Sequence, residues 1–214
     1  MTPLLAKLFL AAVSVSVTTE VAGPPEARLT LRRTESTERI PDEKGMEALT
    51  ELAVSRGGKL LYTLKVEGFD GRPLDDTLYV IARGVEDVEW WSVYRLADGR
   101  HLFDSNVPLS RFAPGRYAGF EVPEDGDPRL RDSHLFGIVT IATAAGEVRR
   151  FPLRAKDPRH AMRLRSYWDA QRTLRFDAAR AVLLLTITGG EPDYRLEIPV
   201  RDGDIAQCCD MLAR

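Results

Sequence analysis

The chain carries three histidines, His101, His134 and His160, so a Ser-His-Asp arrangement would have to be built on one of them. Their nearest partners in sequence are Asp104 for His101, and Asp132 with Ser133 for His134. Nothing in the sequence fixes the geometry among these groups, and no catalytic residue is assigned. His101 lies two residues before Phe103 on a strand face read as core, which suits a hydrogen-bonded structural histidine. His134 opens a strand, and His160 falls in a first helical turn beside Arg159. The G-x-S-x-G elbow, the H-E-x-x-H pair, the phosphate-binding P-loop and a G-x-G-x-x-G turn after a strand are all absent. An unfamiliar hydrolase therefore stands only as an alternative.

Metal and cofactor chemistry find no better footing, and no cofactor or metal is expected. In "EVPEDGDPRLRD", placing Gly126 sixth in a calcium loop puts Glu121 first, Asp125 fifth and Asp132 twelfth. Pro123 then takes the third ligand position and cannot coordinate through its side chain, so a solvated turn is the better account. The two cysteines, Cys208 and Cys209, are adjacent and close no useful loop between them. Without a C-x-x-C or a nearby histidine they form no zinc site. If "DIAQCCDMLAR" is a helix capped by Asp204, then Ile205, Cys208 and Leu212 share its apolar stripe. Cys209 points elsewhere, free for an intermolecular disulfide in an oxidising compartment. Arg159 and Arg163, an i, i+4 pair, could with Arg172 meet a phosphate. A solvated face is preferred, because 30 basic against 32 acidic residues give a net charge of −2 and no field to draw nucleic acid.

The remaining candidate site lies in "VEWWSVYRLADGRHLFDS", where Trp90 and Trp91 stand side by side in a strand and must point to opposite faces. Taking Asp98 and Gly99 as a two-residue turn pairs Leu96 with His101, Arg95 with Leu102, and Tyr94 with Phe103. One face then collects Trp90, Tyr94, Leu96, His101 and Phe103 as core. The other collects Trp91, Val93 and Leu102 with Arg95, Arg100 and Asp104. Either a helix, Met46 to Ser55 or Pro158 to Gln171, lies over Trp91, or Trp91 is a platform for a sugar, a peptide or a partner. In the second case Arg95 and Asp104 are its polar rim, so Trp91, Arg95 and Asp104 are the candidate binding residues.

The elements that must position these groups are mostly strands. "KLLYTLKVEGFDG" alternates Leu60, Tyr62, Leu64 and Val66, and "TLYVIA", the tryptophan hairpin, "GRYAGFEV" and "HLFGIVTIATAAGEVRRFPL" continue the period of two. "AVLLLTITGGEPDYRLEIPV" gives a last hairpin turning at Gly189 to Asp193, its first arm apolar enough for a central strand. Two segments look helical. Met46, Leu49, Leu52 and Ala53 recur at helical spacing before Gly57 and Gly58, and "DPRHAMRLRSYWDAQ" has Asp157 as cap, Pro158 at the first position, and Ala161, Leu164 and Trp168 on one face. The sum is a mainly β protein, an antiparallel β-sandwich with two or three short helices. A lipocalin-like barrel carrying a small apolar ligand is the alternative. "FAPGRYAGFEVP" resembles the Pro-Gly-x-Tyr start of a late strand in bacterial immunoglobulin-like sandwiches. It covers about a dozen residues, favours the sandwich over the barrel, and implies no function.

The first residues bear on compartment. Lys7 precedes an apolar run from Leu8 to Val17, about the length of a signal-peptide core and too short to span a bilayer. Residues 1–23 are accordingly expected to be a signal peptide and 24–214 one β-rich domain, with a subdivision, if there is one, in the loop 123–133. The competing view makes Val13, Val15 and Val17 the buried first strand of a cytoplasmic protein. The sequence favours an exported, non-enzymatic binding or structural module of the cell envelope, periplasmic or extracellular, with no nucleic-acid partner and no membrane span.

Overall fold

The structure is a computed structural model that describes residues 15–23, 27–39, 46–85, 88–123, 126–143, 145–166, 171–189, 193–201 and 204–205. It is mainly β, with sixteen strands and one α-helix among these residues. In chain order the strands are β1 (Val15–Ala22), β2 (Leu29–Arg39), β3 (Met46–Arg56), β4 (Lys59–Glu67), β5 (Phe69–Pro73), β6 (Leu78–Val85), β7 (Val88–Arg95) and β8 (His101–Ser105). They continue as β9 (Ser110–Ala113), β10 (Arg116–Glu121), β11 (Leu135–Thr143), β12 (Val148–Arg154), then α1 (Pro158–Arg165), β13 (Gln171–Asp177), β14 (Val182–Thr188), β15 (Tyr194–Arg201) and β16 (Asp204–Ile205).

Each run of four consecutive strands forms one sheet, its neighbours in chain order, and every pair with a defined register is antiparallel. None of the four sheets closes into a barrel, which removes the lipocalin-like alternative. The chain divides into two compact units, Met1–Gly71 and Arg72–Arg214.

The first unit is the sheet β1 to β4. Leu29, Leu31, Leu52 and Val54 are buried on one of its faces, whereas Val15, Val17 and Val21 of the edge strand β1 are exposed. Val15 and Val17 thus belong to a strand, as one view of the N-terminus expected, but not to a buried one; Val13 lies outside the described residues. The expected helix over Met46 to Ser55 is instead β3. Its apolar residues fit a helical stripe, but Thr50, Leu52 and Val54 also alternate, and all three are buried. β3 is paired with β2 from Met46↔Arg39 to Arg56↔Leu29 and with β4 on its other side, and these long-range ladders override the local spacing. Gly57 and Gly58, read as a helix stop, make the two-residue turn into β4, with φ of 57° and 79° that only glycine adopts readily.

In the second unit the sheet β9 to β12 is a middle layer. Ala118, Phe120, Val139 and Ile141 on one face share a core with Leu174, Leu183, Leu185 and Ile198 of β13 to β15, giving a β-sandwich-like pair of sheets. On the other face Tyr117 and Ala142 share a second core with Leu78, Val80, Val93 and Phe103 of β6 to β8. Coverage on both sides explains why "LFGIVTIAT" in β11 is buried from Leu135 to Ala142 and carries no polar alternation. The backbone approaches closely there: a Cβ on Gly137 would stand 2.2 Å from Phe120 Cζ. The helix α1 starts as its sequence specifies, with the Asp157 side chain accepting from the Arg159 N–H and Pro158 in the first turn. It ends at Arg165, earlier than the expected Gln171; Ala161 and Leu164 face the core, and Trp168 is outside the described residues. No helix among the described residues is long and apolar enough to cross a membrane.

At the C-terminus Asp204, expected as a helix cap, is in a strand. It lies in β16, with Asp204 opposite Arg201 and Ile205 opposite Val200, and the rest of the expected helix lies outside the described residues. Cys208 and Cys209, with the proposed intermolecular disulfide, lie outside the described residues.

Candidate functional site

The tryptophan hairpin folds with a different register from the one its turn residues suggested. Arg95 N–H donates to Arg100 O, so the loop is Leu96 to Gly99, four residues long, and Gly99 takes a φ of 70°. A bulge at Val93/Tyr94 follows, giving Trp91↔Ser105, Ser92↔Asp104, Val93↔Phe103 and Tyr94↔His101. The extra residue moves Phe103 to the face of Trp91 and Asp104 to the face of Trp90.

Trp91 is consequently half-buried against the core of Leu78, Val80, Val93, Phe103 and Tyr117. What covers it is the next sheet and not a helix. Arg95 donates from Nε to Asp98 Oδ1 at 2.9 Å, and its side chain lies against Gly146. Asp104 is on the opposite face, so the structure does not bring Trp91, Arg95 and Asp104 together. His101, expected in the core, has a side chain 46% exposed and its ring tilted over Tyr94 at 5.3 Å between centroids.

The opposite face gathers a different set. β6 and β7 pair Arg83 with Trp90, and β7 and β8 pair Ser92 with Asp104, so four polar or aromatic side chains share one surface. Arg83, Trp90 and Asp104, with Asn106, line a cleft of about 470 Å³ whose other wall is Glu121 and Val122 at the end of β10 with Gly126 to Arg129 beyond. That wall is self-supporting: Asp127 accepts from the Arg129 N–H at 2.8 Å, and the Arg129 guanidinium pairs with Glu121 and Asp127 at 2.5 Å each. Asn106 is held by accepting the Val122 N–H on Oδ1 at 2.6 Å.

Asp104 is the electrostatic centre of the cleft. Ser92 Oγ donates to its Oδ1 at 2.5 Å, His101 Nε2 lies 3.1 Å from the same oxygen, and Arg83 Nη2 is 3.7 Å away. Burial favours its protonated form, but the hydrogen bonds from His101 and Ser92 and the charges of His101 and Arg83 outweigh it and hold the carboxyl below its ordinary range. Arg83, by contrast, has a buried Nε with no hydrogen-bond partner among the described residues.

This cluster contains a serine, a histidine and an aspartate in the wrong order for acyl transfer. The carboxylate sits in the middle, the serine donates to it and not to an imidazole, and Ser92 is only 1% exposed. The second candidate set is not assembled either. His134 bonds through Nδ1 to Ala155 O at 3.0 Å, and Asp132 accepts from the His134 backbone at 3.1 Å and from Arg154 Nε at 2.6 Å. Arg172, of the proposed basic set, gives its guanidinium to the carbonyls of Leu164 and Ser166 at the end of α1.

Sequence reasoning missed Arg83, Trp90 and Arg129. The pairing of the first two was available as a signal: "YVIARGV" and "VEWWSVY" are successive strands, and setting Val85 against Val88 places Arg83 opposite Trp90.

No protein-family model matches the chain, and no curated protein matches it. Among solved structures it is similar to one described as "Structural and Mechanistic Analysis of Two Prolyl Endopeptidases: Role of Inter-Domain Dynamics in Catalysis and Specificity". That likeness covers 91% of this chain and 28% of the other, at 10% identity and a TM-score of 0.34. A likeness at that level carries no conclusion about fold or activity.

Proposed function

We propose that this protein is a non-enzymatic binding module of the cell envelope whose ligand occupies the cleft beside Trp90. The observation that carries this reading is the convergence of Trp90, Arg83 and Asp104 on one cleft of about 470 Å³. An aromatic face beside a charged donor and a charged acceptor in a concave site is the make-up of a small-ligand pocket. Export is supported by Lys7 and the apolar run Leu8–Val17.

A thermal-shift screen of small metabolites against wild type and Trp90→Ala tests the binding claim. The expected result is a set of compounds that raise the melting temperature of wild type and not of the variant. A screen with no stabilising compound, or with hits that persist in Trp90→Ala, overturns it. Sequencing the N-terminus of protein recovered from fractionated cells tests export separately. A chain beginning near residue 24 in the envelope fraction is expected; Met1 retained on cytoplasmic protein overturns it. Such cleavage removes β1 and turns β2 into an edge strand.

A further inference from the structure

Resting on that binding reading, we propose that the cleft takes a neutral saccharide, its ring stacked on Trp90 and neighbouring hydroxyls bridging Arg83 and Asp104. Three carboxylates, Asp104, Glu121 and Asp127, line the space with two guanidinium groups, Arg83 and Arg129. A phosphate or free carboxylate would meet Asp104 within 4 Å of Arg83, and the Arg129 charge is already shared between two close acids. A cationic ligand would meet Arg83 in the same place. An apolar one finds little besides the indole, Val122 and Pro128.

What suits a loosely paired acid and base is a group that both donates and accepts. Arg83 Nη2 and Asp104 Oδ1 are 3.7 Å apart, beyond hydrogen-bond distance, so neither satisfies the other. A hydroxyl can accept from Arg83 with its oxygen and donate its proton to the carboxylate, and a second on the adjacent carbon extends the same pattern. Asn106 has its carbonyl oxygen occupied by Val122 and so offers its amide nitrogen as a further donor. The Ser92 and His101 bonds fix the Asp104 carboxylate before any ligand arrives, which lowers the entropic cost of capture. A pyranose presents this combination, an apolar C–H face for an indole and an equatorial edge of hydroxyls. The volume, about 470 Å³, lies within the range of small-ligand clefts.

The test is calorimetric and fluorescence titration of wild type, Trp90→Ala, Trp90→Phe and Arg83→Gln with common hexoses, N-acetylhexosamines and their disaccharides. At least one is expected to bind saturably below about 10 mM. Trp90→Ala should weaken that binding by about tenfold or more, Arg83→Gln by a similar factor, and Trp90→Phe by less, since a smaller ring still stacks. Melting curves identify any variant that fails to fold, and the other variants then decide. The saccharide proposal is overturned if none of these sugars titrates while the metabolite screen yields a ligand lost in Trp90→Ala; the binding reading then stands. It is also overturned if a sugar binds all variants equally. Failure of both experiments removes both claims.

Discussion

Trp91 pairs with Ser105 across β7 and β8, one residue beyond Asp104, so the indole and that carboxylate face opposite sides of the sheet. The two adjacent tryptophans therefore have separate tasks: Trp91 packs between layers and Trp90 lines the cleft.

Replacing each by alanine separates those tasks. Trp91→Ala should cost about 2–3 kcal/mol, somewhat under the full-burial figure because the ring is only half-buried. Trp90→Ala should cost less than about 1 kcal/mol, as most substitutions away from a core do. Urea unfolding midpoints measure both, and the reverse order would place the layers wrongly.

Gly137→Ala tests the contact between β10 and β11. The added methyl would fall 2.2 Å from Phe120 Cζ and 2.3 Å from Cε2, and Phe120 is fully buried with nowhere to retreat. Destabilisation of about 1–3 kcal/mol is expected from overpacking. A variant as stable as wild type in denaturant would show that the sheet is less closely stacked than described.

Ser105 holds two layers together by hydrogen bonds. Its Oγ donates to Val107 O at 2.7 Å and accepts from the Phe120 N–H at 3.0 Å, all in the interior. Ser105→Ala leaves a buried donor and a buried acceptor unpaired, with an expected cost of about 1–3 kcal/mol. The amide proton of Phe120 should then exchange with solvent faster than in wild type, measurable by hydrogen exchange.

Acid should weaken the fold in a way traceable to Asp98. Hydrogen bonds from the Arg95 side chain, opposed by slight burial and aided by the Arg100 N–H, hold its carboxyl down to about 2 from an ordinary 3.8. A carboxylate depressed on folding contributes stability above its unfolded value and loses it as pH falls through the folded one. The melting temperature of wild type should therefore drop between pH 3.8 and about 2, and Asp98→Asn should show a shallower decline over that window. Asp104, Asp127, Asp132 and Asp177 are shifted in the same direction and deepen the common trend.

How much of this was legible beforehand varies with the range of the contacts involved. The alternation of Tyr194, Leu196, Ile198 and Val200 marks β15, and all four are buried while the residues between them are exposed. The start of α1 was equally clear, because Asp157 and Pro158 act on their own first turn. Met46 to Ser55, expected as a helix, is a strand, since helical and alternating patterns coexist in it and only pairing with β2 and β4 selects the strand. The candidate site failed for a related reason: one bulge at Val93/Tyr94 transfers Asp104 from the side of Trp91 to that of Trp90.

By itself, then, the sequence determined the extended character of the chain, most of its turns and the cap of its helix, because each is set by residues within a few positions of one another. The tertiary structure alone decided which residues share the cleft and what covers Trp91. Register and layering depend on contacts between distant segments, such as Gly119 lying so near Phe103 and Ser105 that a Cβ there would come within 2.8 Å of both. No local pattern encodes a partner that far along the chain.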